Sequence, residues 1–380
     1  MRILFVASLH HPEQLRAARA ERPHDPPLFP PSANQYFWEK ALRQRGHTLD
    51  VFYRNFPVWS GDTARGTTQK YTSAITPAKL IQAAWNRVPP RANPDFRLRN
   101  RALIARTRVF KPDVLWHVGG NTIIYPETLA AIKRELGVKI VFESGDSPIV
   151  FSRAIERAAA RLYDHVLVND YYHGIQWLEL GSPAMTALPP AACDPDFHRP
   201  YALTPEKRAA LACDVAFVGT LVPDHLYSRR VRALEAISAA GFDLGIWSVH
   251  DVPPSLRKHW RGGALGMEMQ HILCAAKICF NAHGDFMRYG GNQRLFEAAG
   301  AGVFQIADDE PGVRLWFPDI DGVPTIIMYA DHDDLCAKIA HYLVHDDERA
   351  QIAQAARAHV YDVHTYTRRV EAFEDIIAHL

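Results

Sequence analysis

The chain has 380 residues, about half of them apolar and roughly a fifth charged, with a formal net charge of +1. That length exceeds one ordinary core and implies two domains, and a balance so near zero offers no electrostatic footprint for nucleic acid. Cys193, Cys213, Cys274, Cys279 and Cys336 form no CxxC pair, so a disulfide or zinc framework is not expected and a reducing, cytoplasmic setting is.

"MRILFVAS" is too short for a signal h-region, and no run approaches the roughly 18 apolar residues of a spanning helix. It reads instead as a buried parallel strand, Ile3 to Ala7. A Pro- and His-rich loop follows, about residues 10 to 32, long enough to suggest a function or mobility. "NQYFWEKALRQRGHTLDVFYR" then gives a helix, Gly46 as its C-cap, and a strand from Leu49 to Tyr53. Strand, helix, strand in that order is the unit of a parallel sheet. The unit recurs in "KPDVLWHVGG", "YPETLAAIKRELGVKIVFESGDSP", "YDHVLVND" and "YYHGIQWLELG". Residues 1 to 187 are therefore expected to form a doubly wound α/β domain.

The rhythm breaks in "SPAMTALPPAACDPDFHRPYALTPEKR". Rich in proline and without a period, it reads as a linker over residues 188 to 208. Alternation resumes with the strand in "CDVAFVGTL" and continues through "MEMQHILCAAKICFNAHG" and "RYGGNQRLFEAAGAGVFQI". A second α/β domain over 209 to 363 follows. The remaining 364 to 380 is an amphipathic helix with Val370, Phe373, Ile376 and Ile377 on one face.

In open parallel sheets, ligands bind beyond the carboxyl ends of the strands. In the second half those ends carry Gly219-Thr220, "NAHGDFMRYGGNQ" and "ADDEPGV". Gly290-Gly291-Asn292 stands where a helix begins, an arrangement that lets backbone approach a pyrophosphate. Arg294 lies in the first turn, where the helix dipole disfavours a cation; it either meets an anion or is a plain surface arginine. Glu297 sits in an otherwise apolar helix and either grips paired ribose hydroxyls or serves as a capping or surface carboxylate. In the first half, His10 and His11 follow one strand; His117, Gly119, Gly120 and Asn121 another; Glu143, Asp146 and Ser147 a third. Asp146, or a histidine such as His11 or His117, is placed to act as a general base, although "ESGDSP" is equally good as an Asx turn. Residues 65 to 111 hold eleven Lys or Arg and one acid, Asp95. They form either a solvated helix face or a surface for anionic membrane or acceptor. "DHDD" at 331 to 334 reads as a helix N-cap rather than a metal cluster.

From residue 292 onward the order R-x-F-E-A-x-x-x-G, Y-x-D-x-D-D-L, H-x-x-E-R-x-x-I-A and H-T-x-x-x-R runs through to residue 369. This stretch resembles the C-terminal domain of the CgeB-like glycosyltransferases, which are similar to the broader group-1 glycosyl transferase family of GT-B fold. "DVAFVGTL" and "LPPAACDPDFHRP" extend the resemblance more weakly toward the N-terminus. The resemblance implies two Rossmann-like domains facing a cleft, the last helix crossing back to the first. It implies a nucleotide-diphosphate sugar as donor and co-substrate, with no cofactor or metal, and an acceptor of unknown identity held by the first domain. Glu297 aligns with the family's ribose-binding glutamate. Gly219 and Thr220 match the loop near the diphosphate, where Arg229 or Arg230 would supply a cation. Many relatives carry a second, sugar-contacting glutamate eight residues earlier, where this chain has Tyr289. That departure leaves the sugar and the retaining or inverting outcome open. The expected partners are the donor and acceptor, with no nucleic acid and at most peripheral membrane contact. A nucleotide-sugar epimerase of the same architecture and a two-lobed binding module are the alternatives.

Overall fold

The computed structural model describes residues 1–8, 30–55, 84–85, 87–188 and 192–380. His10 and His11, and residues 65–83 of the basic stretch that runs to 111, lie outside the described residues. The chain divides into two compact units, Met1–Pro190 with Phe373–Leu380, and Ala191–Ala372.

The first unit is built on a six-stranded, all-parallel sheet in the order β2-β1-β3-β4-β5-β6. Its strands are β1 (Arg2–Ala7), β2 (Thr48–Tyr53), β3 (Val114–Val118), β4 (Lys139–Ser144), β5 (His165–Val168) and β6 (Met185–Ala187). Both faces are covered, which is why β1 and β3 are apolar at nearly every position and β4 is apolar through Ile140, Val141 and Phe142. Leu4, Val6, Leu115, Ile140, Phe142 and Val166 pack beneath Leu129, Ile132, Tyr163 and Trp177 on one face. On the other, Trp116 stacks on Phe5 at 5.1 Å and meets Trp38 at 4.7 Å and Phe373 at 4.5 Å. The last residues of the chain are tied into this unit by Glu374, which pairs with Arg45 at 2.6 Å and His47 at 2.7 Å.

Helix boundaries follow local chemistry. Asn93 caps the Pro94–Phe110 helix by accepting from the amides of Asp95 and Phe96, with proline at the first position. Gly137, at φ 63, ends the Pro126–Leu136 helix. Three arginines of the Pro94–Phe110 helix have acidic partners: Arg99 pairs with buried Asp95, Arg106 with Asp50 and Arg108 with Glu135.

The second unit has a five-stranded parallel sheet in the order β11-β10-β9-β7-β8. Its strands are β7 (Val215–Val218), β8 (Leu244–Trp247), β9 (Ile278–Asn281), β10 (Phe304–Asp308) and β11 (Ile327–Tyr329). Val215, Phe217, Ile278, Phe280 and Ile306 face Leu234, Ile237, Leu335 and Ile339. Alternate residues Ala216, Val218 and Cys279 face Ile272, Leu273, Ala298 and Ala301. Asp331 caps the His332–Val344 helix by accepting from the amide of Asp334 at 2.9 Å.

The stretch read as a linker contains structure. β6 pairs with β5 alone, at the sheet edge. Thr204 caps a helix over Pro205–Leu211. Between them, Cys193 bridges to Thr365 and is buried against Leu295, Phe296 and Ala299. Gly300 makes this close approach possible, because a Cβ there would lie 2.4 Å from Cys193 Sγ and 2.8 Å from the His198 carbonyl oxygen. Among the described residues no helix is long and apolar enough to cross a membrane.

Candidate functional site

The second unit gathers polar groups at the carboxyl ends of β7, β9 and β10. Asn292 caps the Gln293–Ala301 helix, its Oδ1 accepting from the amide of Leu295 at 3.2 Å. The two residues before it, Gly290 and Gly291, have φ of 104° and 107°. Side chains are strained in that region of backbone space, so the tight entry into this helix requires glycine.

A histidine that the sequence reading passed over organises this loop. His283, fully buried just beyond β9, has Nδ1 2.7 Å from Asp308 Oδ1 at the end of β10. Its Nε2 accepts from the amides of Gly291 at 3.0 Å and Asn292 at 3.3 Å. Since Nε2 accepts, the network assigns the hydrogen to Nδ1, which donates to the carboxylate. Burial works to raise the pKa of Asp308, but the hydrogen bonds from the His283 ring and amide, with the Arg229 charge, hold it below the usual range. Two of the loop's amides are thus committed within the protein. The open donors at this helix start are the next ones, Gln293 and Arg294.

Arg294 and Glu297 form an ion pair one turn along. Arg294 Nε also donates to the carbonyl of Val218, the last residue of β7, at 3.3 Å, and so sits beside Gly219-Thr220. Glu297 is buried, and Gln293 donates to its Oε1 at 2.8 Å. His198 Nε2 lies 3.8 Å from the same oxygen, too far for a direct hydrogen bond. Burial opposes ionisation of Glu297 most strongly, yet Arg294, His198 and Gln293 outweigh it and depress its pKa.

Arg230 joins two strand ends, donating from Nε to the Ala282 carbonyl at 2.6 Å and from Nη1 to the Thr220 carbonyl at 3.0 Å. Arg229 reaches Asp308 at 3.2 Å and Glu310 at 2.5 Å. The helix carrying both kinks at Tyr227, and Asp285 accepts from the amides of Ser228 at 2.8 Å and Arg229 at 3.1 Å there. Tyr289 packs edge-on to Trp316 at 5.7 Å, and its carbonyl accepts from the Gly312 amide at 2.6 Å. A recess of about 340 Å³ beside Arg229 and Asp308 continues to Tyr329 and Asp331.

The first unit has its own pocket, about 350 Å³, at the carboxyl ends of β1, β3 and β4. Arg54, Gly119, Glu143, Asp146 and Glu156 are among its walls. Burial pushes the carboxyl of Glu143 up to about 7, against a hydrogen bond from Trp116 Nε1 at 2.8 Å. Asp146 is accessible from the pocket but crowded by protein, and this desolvation raises its pKa while the neighbouring His173 draws it down. His117 is inside β3 rather than after it, paired in register with Val6 and Phe142. Its ring is fully buried between Phe142 and Tyr163, and burial, then Arg54, lowers its pKa well below the usual histidine value. Asn121 is likewise buried, closing a turn through the amides of Ile123 and Ile124.

Among the described residues, one trio could hold a metal ion: His341, His345 and Glu348, on exposed helix surfaces and in neither pocket.

Two Rossmann-like units, each with its polar groups at strand carboxyl ends, define a GT-B scaffold. Residues 229–375 match a family model described as glycosyl transferase-like. A sucrose-phosphate synthase from Thermosynechococcus elongatus has a similar structure, with a TM-score of 0.62 at 15% identity, covering 100% of this chain and 99% of that one. The Anabaena protein HepE in complex with UDP-glucose gives 0.58 at 15% identity over the whole of both chains. A glycosyltransferase from Rickettsia africae gives 0.60 at 12% identity, over 99% of this chain and 97% of the other. No curated protein matches the sequence. The chain has the GT-B fold, and over residues 229–375 it is similar to the glycosyl transferase-like family.

Proposed function

We propose that this protein is a glycosyltransferase that moves a sugar from a nucleoside-diphosphate sugar held by the second unit to a hydroxyl-bearing acceptor held by the first, and that it is of CgeB-like type. The observation that carries the donor half is the Gly290-Gly291-Asn292 turn, clamped by His283 and leading directly to Arg294 and Glu297 at the ends of β7 and β9. In the reaction the bond between the sugar and the diphosphate breaks, the acceptor oxygen takes its place, and the hydroxyl proton is lost. The diphosphate leaves with developing negative charge, which the Gln293 and Arg294 amides and the Arg294 guanidinium are placed to stabilise. Glu297 accepts the ribose hydroxyls through lone pairs that its present partners leave free. Gly219, Thr220, Arg229 and Arg230 frame the diphosphate, and Tyr289 shapes the sugar end of the site through its contact with Trp316. Asp146 remains the first unit's candidate base in this reading, joined by Glu143. His117 keeps its neutral ring in the wall behind them.

UDP is the first nucleotide to test, since HepE was solved with UDP and with UDP-glucose. Release of nucleoside diphosphate from UDP-, GDP- and dTDP-sugars should be detectable and should fall at least tenfold in Glu297→Ala. If none of these donors turns over, with or without added sugar acceptors, the reading fails. An epimerase would instead convert the donor sugar with no nucleotide released.

A further inference from the structure

The pocket of the first unit carries a charge pattern that constrains what enters it. Four ionisable side chains line it: Arg54, Glu143, Asp146 and Glu156. Arg54 is turned into the wall. Its Nη1 donates to the carbonyls of Val6 at 3.3 Å and Val118, and its Nη2 to Gly119 at 2.5 Å. The guanidinium therefore joins the ends of β1 and β3 and has little left for a ligand. Glu156 is also committed, accepting from the Asn121 amide at 2.5 Å and the Ser152 hydroxyl at 2.6 Å.

Glu143 and Asp146 differ from these two. Trp116 occupies only Oε2 of Glu143, so Oε1 has no protein hydrogen bond among the described residues. The Asp146 carboxylate has none either; the Ser144 hydroxyl bonds its backbone carbonyl. The rest of the described lining is uncharged: aromatic and amide side chains such as Phe5, Trp38, Phe151, Asn34 and Gln35, with serines, glycines and a valine between them. Among the described lining residues a phosphate group would meet two carboxyl groups and no cation with donors to spare, an unfavourable setting for an anion in a partly desolvated cavity. A hydroxyl, by contrast, can donate a hydrogen bond to the open oxygens of either group, most strongly where that group is ionised. The volume of about 350 Å³ lies at the small end of ligand pockets and suits one sugar-sized molecule.

We propose that this pocket binds the acceptor as an uncharged, polyhydroxylated molecule, with Glu143 Oε1 and Asp146 accepting its hydroxyl hydrogens, and that it rejects the phosphorylated form of the same molecule. The inference rests on the glycosyltransferase reading and supplies the acceptor class which that reading lacks.

Saturation-transfer NMR on the intact protein without donor tests it. The probes are glucose, galactose, mannose, N-acetylglucosamine and their 6-phosphates. Saturation should reach at least one neutral sugar and none of the phosphates. Glu143→Gln should weaken the neutral sugar at least fivefold, with folding checked by circular dichroism. Asp146→Arg, at an accessible position, should admit the matching phosphate. Equal saturation of neutral and phosphorylated probes, saturation of no neutral probe, or indifference to both substitutions overturns the proposal. Titrating UDP, GDP and dTDP into the same sample separates the two claims. Nucleotide binding without sugar binding sinks only the acceptor class, whereas sugar binding with none of the three nucleotides bound sinks the donor reading instead.

Discussion

His283 and Gly291 are joined by a 3.0 Å hydrogen bond in which a buried imidazole accepts from the amide of a glycine at φ 107°. The ring's other nitrogen is anchored on Asp308, so a side chain from the end of one strand fixes the backbone that opens the donor-side helix. Replacing His283 with alanine leaves the amides of Gly291 and Asn292 unpaired and Asp308 without its ring partner. Each buried unsatisfied group costs about 1–3 kcal/mol. The variant should lose about 3 kcal/mol in urea unfolding and bind nucleotide at least tenfold more weakly. A loss below about 0.5 kcal/mol would show that the ring does not hold the loop.

Gly290 offers a backbone test of the same turn. At φ 104° an alanine is strained, and its Cβ would lie 3.2 Å from Val313 Cγ2 and 3.3 Å from Glu310 Cβ. Gly290→Ala should destabilise the protein by about 1–3 kcal/mol and weaken nucleotide binding. Gly46→Ala, at φ 85° with open space around it, shares the strain without the contacts. It should lower stability and leave nucleotide affinity unchanged, as read by calorimetric titration.

Glu143 makes stability depend on pH. Its folded pKa is raised from 4.5 to about 7, so between those values the folded state holds a proton that the unfolded chain has released. Stability therefore falls as pH rises through this window, and the full penalty applies above about 7. The shift corresponds to about 3 kcal/mol as an upper bound. Glu143→Gln removes the penalty. The variant should match the wild type at pH 4 and exceed it by about 1–3 kcal/mol at pH 8. An equal difference at both pH values would place the carboxyl in an ordinary solvated setting.

Gly300 couples the 192–198 segment to the donor-side helix, since any Cβ there collides with Cys193 and His198. Gly300→Ala should cost about 1–3 kcal/mol, as overpacking does, and should shift the His198 ring signals in NMR spectra. Unchanged His198 signals would argue against the coupling.

What could be read from the residues divides along physical lines. β1, β3, β4 and β7 were legible because a parallel strand covered on both faces carries a continuous apolar run, such as Ile140 to Phe142 in β4. The Gln293–Ala301 helix was legible because its glycines and Asn292 are local punctuation. β6 was not, being three residues at an edge inside a proline-rich stretch. The Pro205–Leu211 helix was passed over although Thr204-Pro205 is an N-terminal signal. His283 escaped because its partners, Gly291 and Asp308, are 8 and 25 residues away and meet it only in the fold. Glu143 was noticed as a strand-end carboxylate, but its pairing with Trp116 spans 27 residues. His117 appeared to follow a strand because its neighbours Gly119 and Gly120 do; register with Val6 places it inside the sheet.

The central claim is that the second unit holds a nucleoside diphosphate at the turn leading to Arg294 and Glu297. Isothermal titration of UDP, GDP and dTDP into the wild type and a folded Glu297→Ala variant tests it most directly. The account predicts saturable binding of at least one nucleotide, weakened tenfold or more by the substitution, or about 1.4 kcal/mol. Absence of binding by all three, or equal affinity in the two proteins, would contradict it.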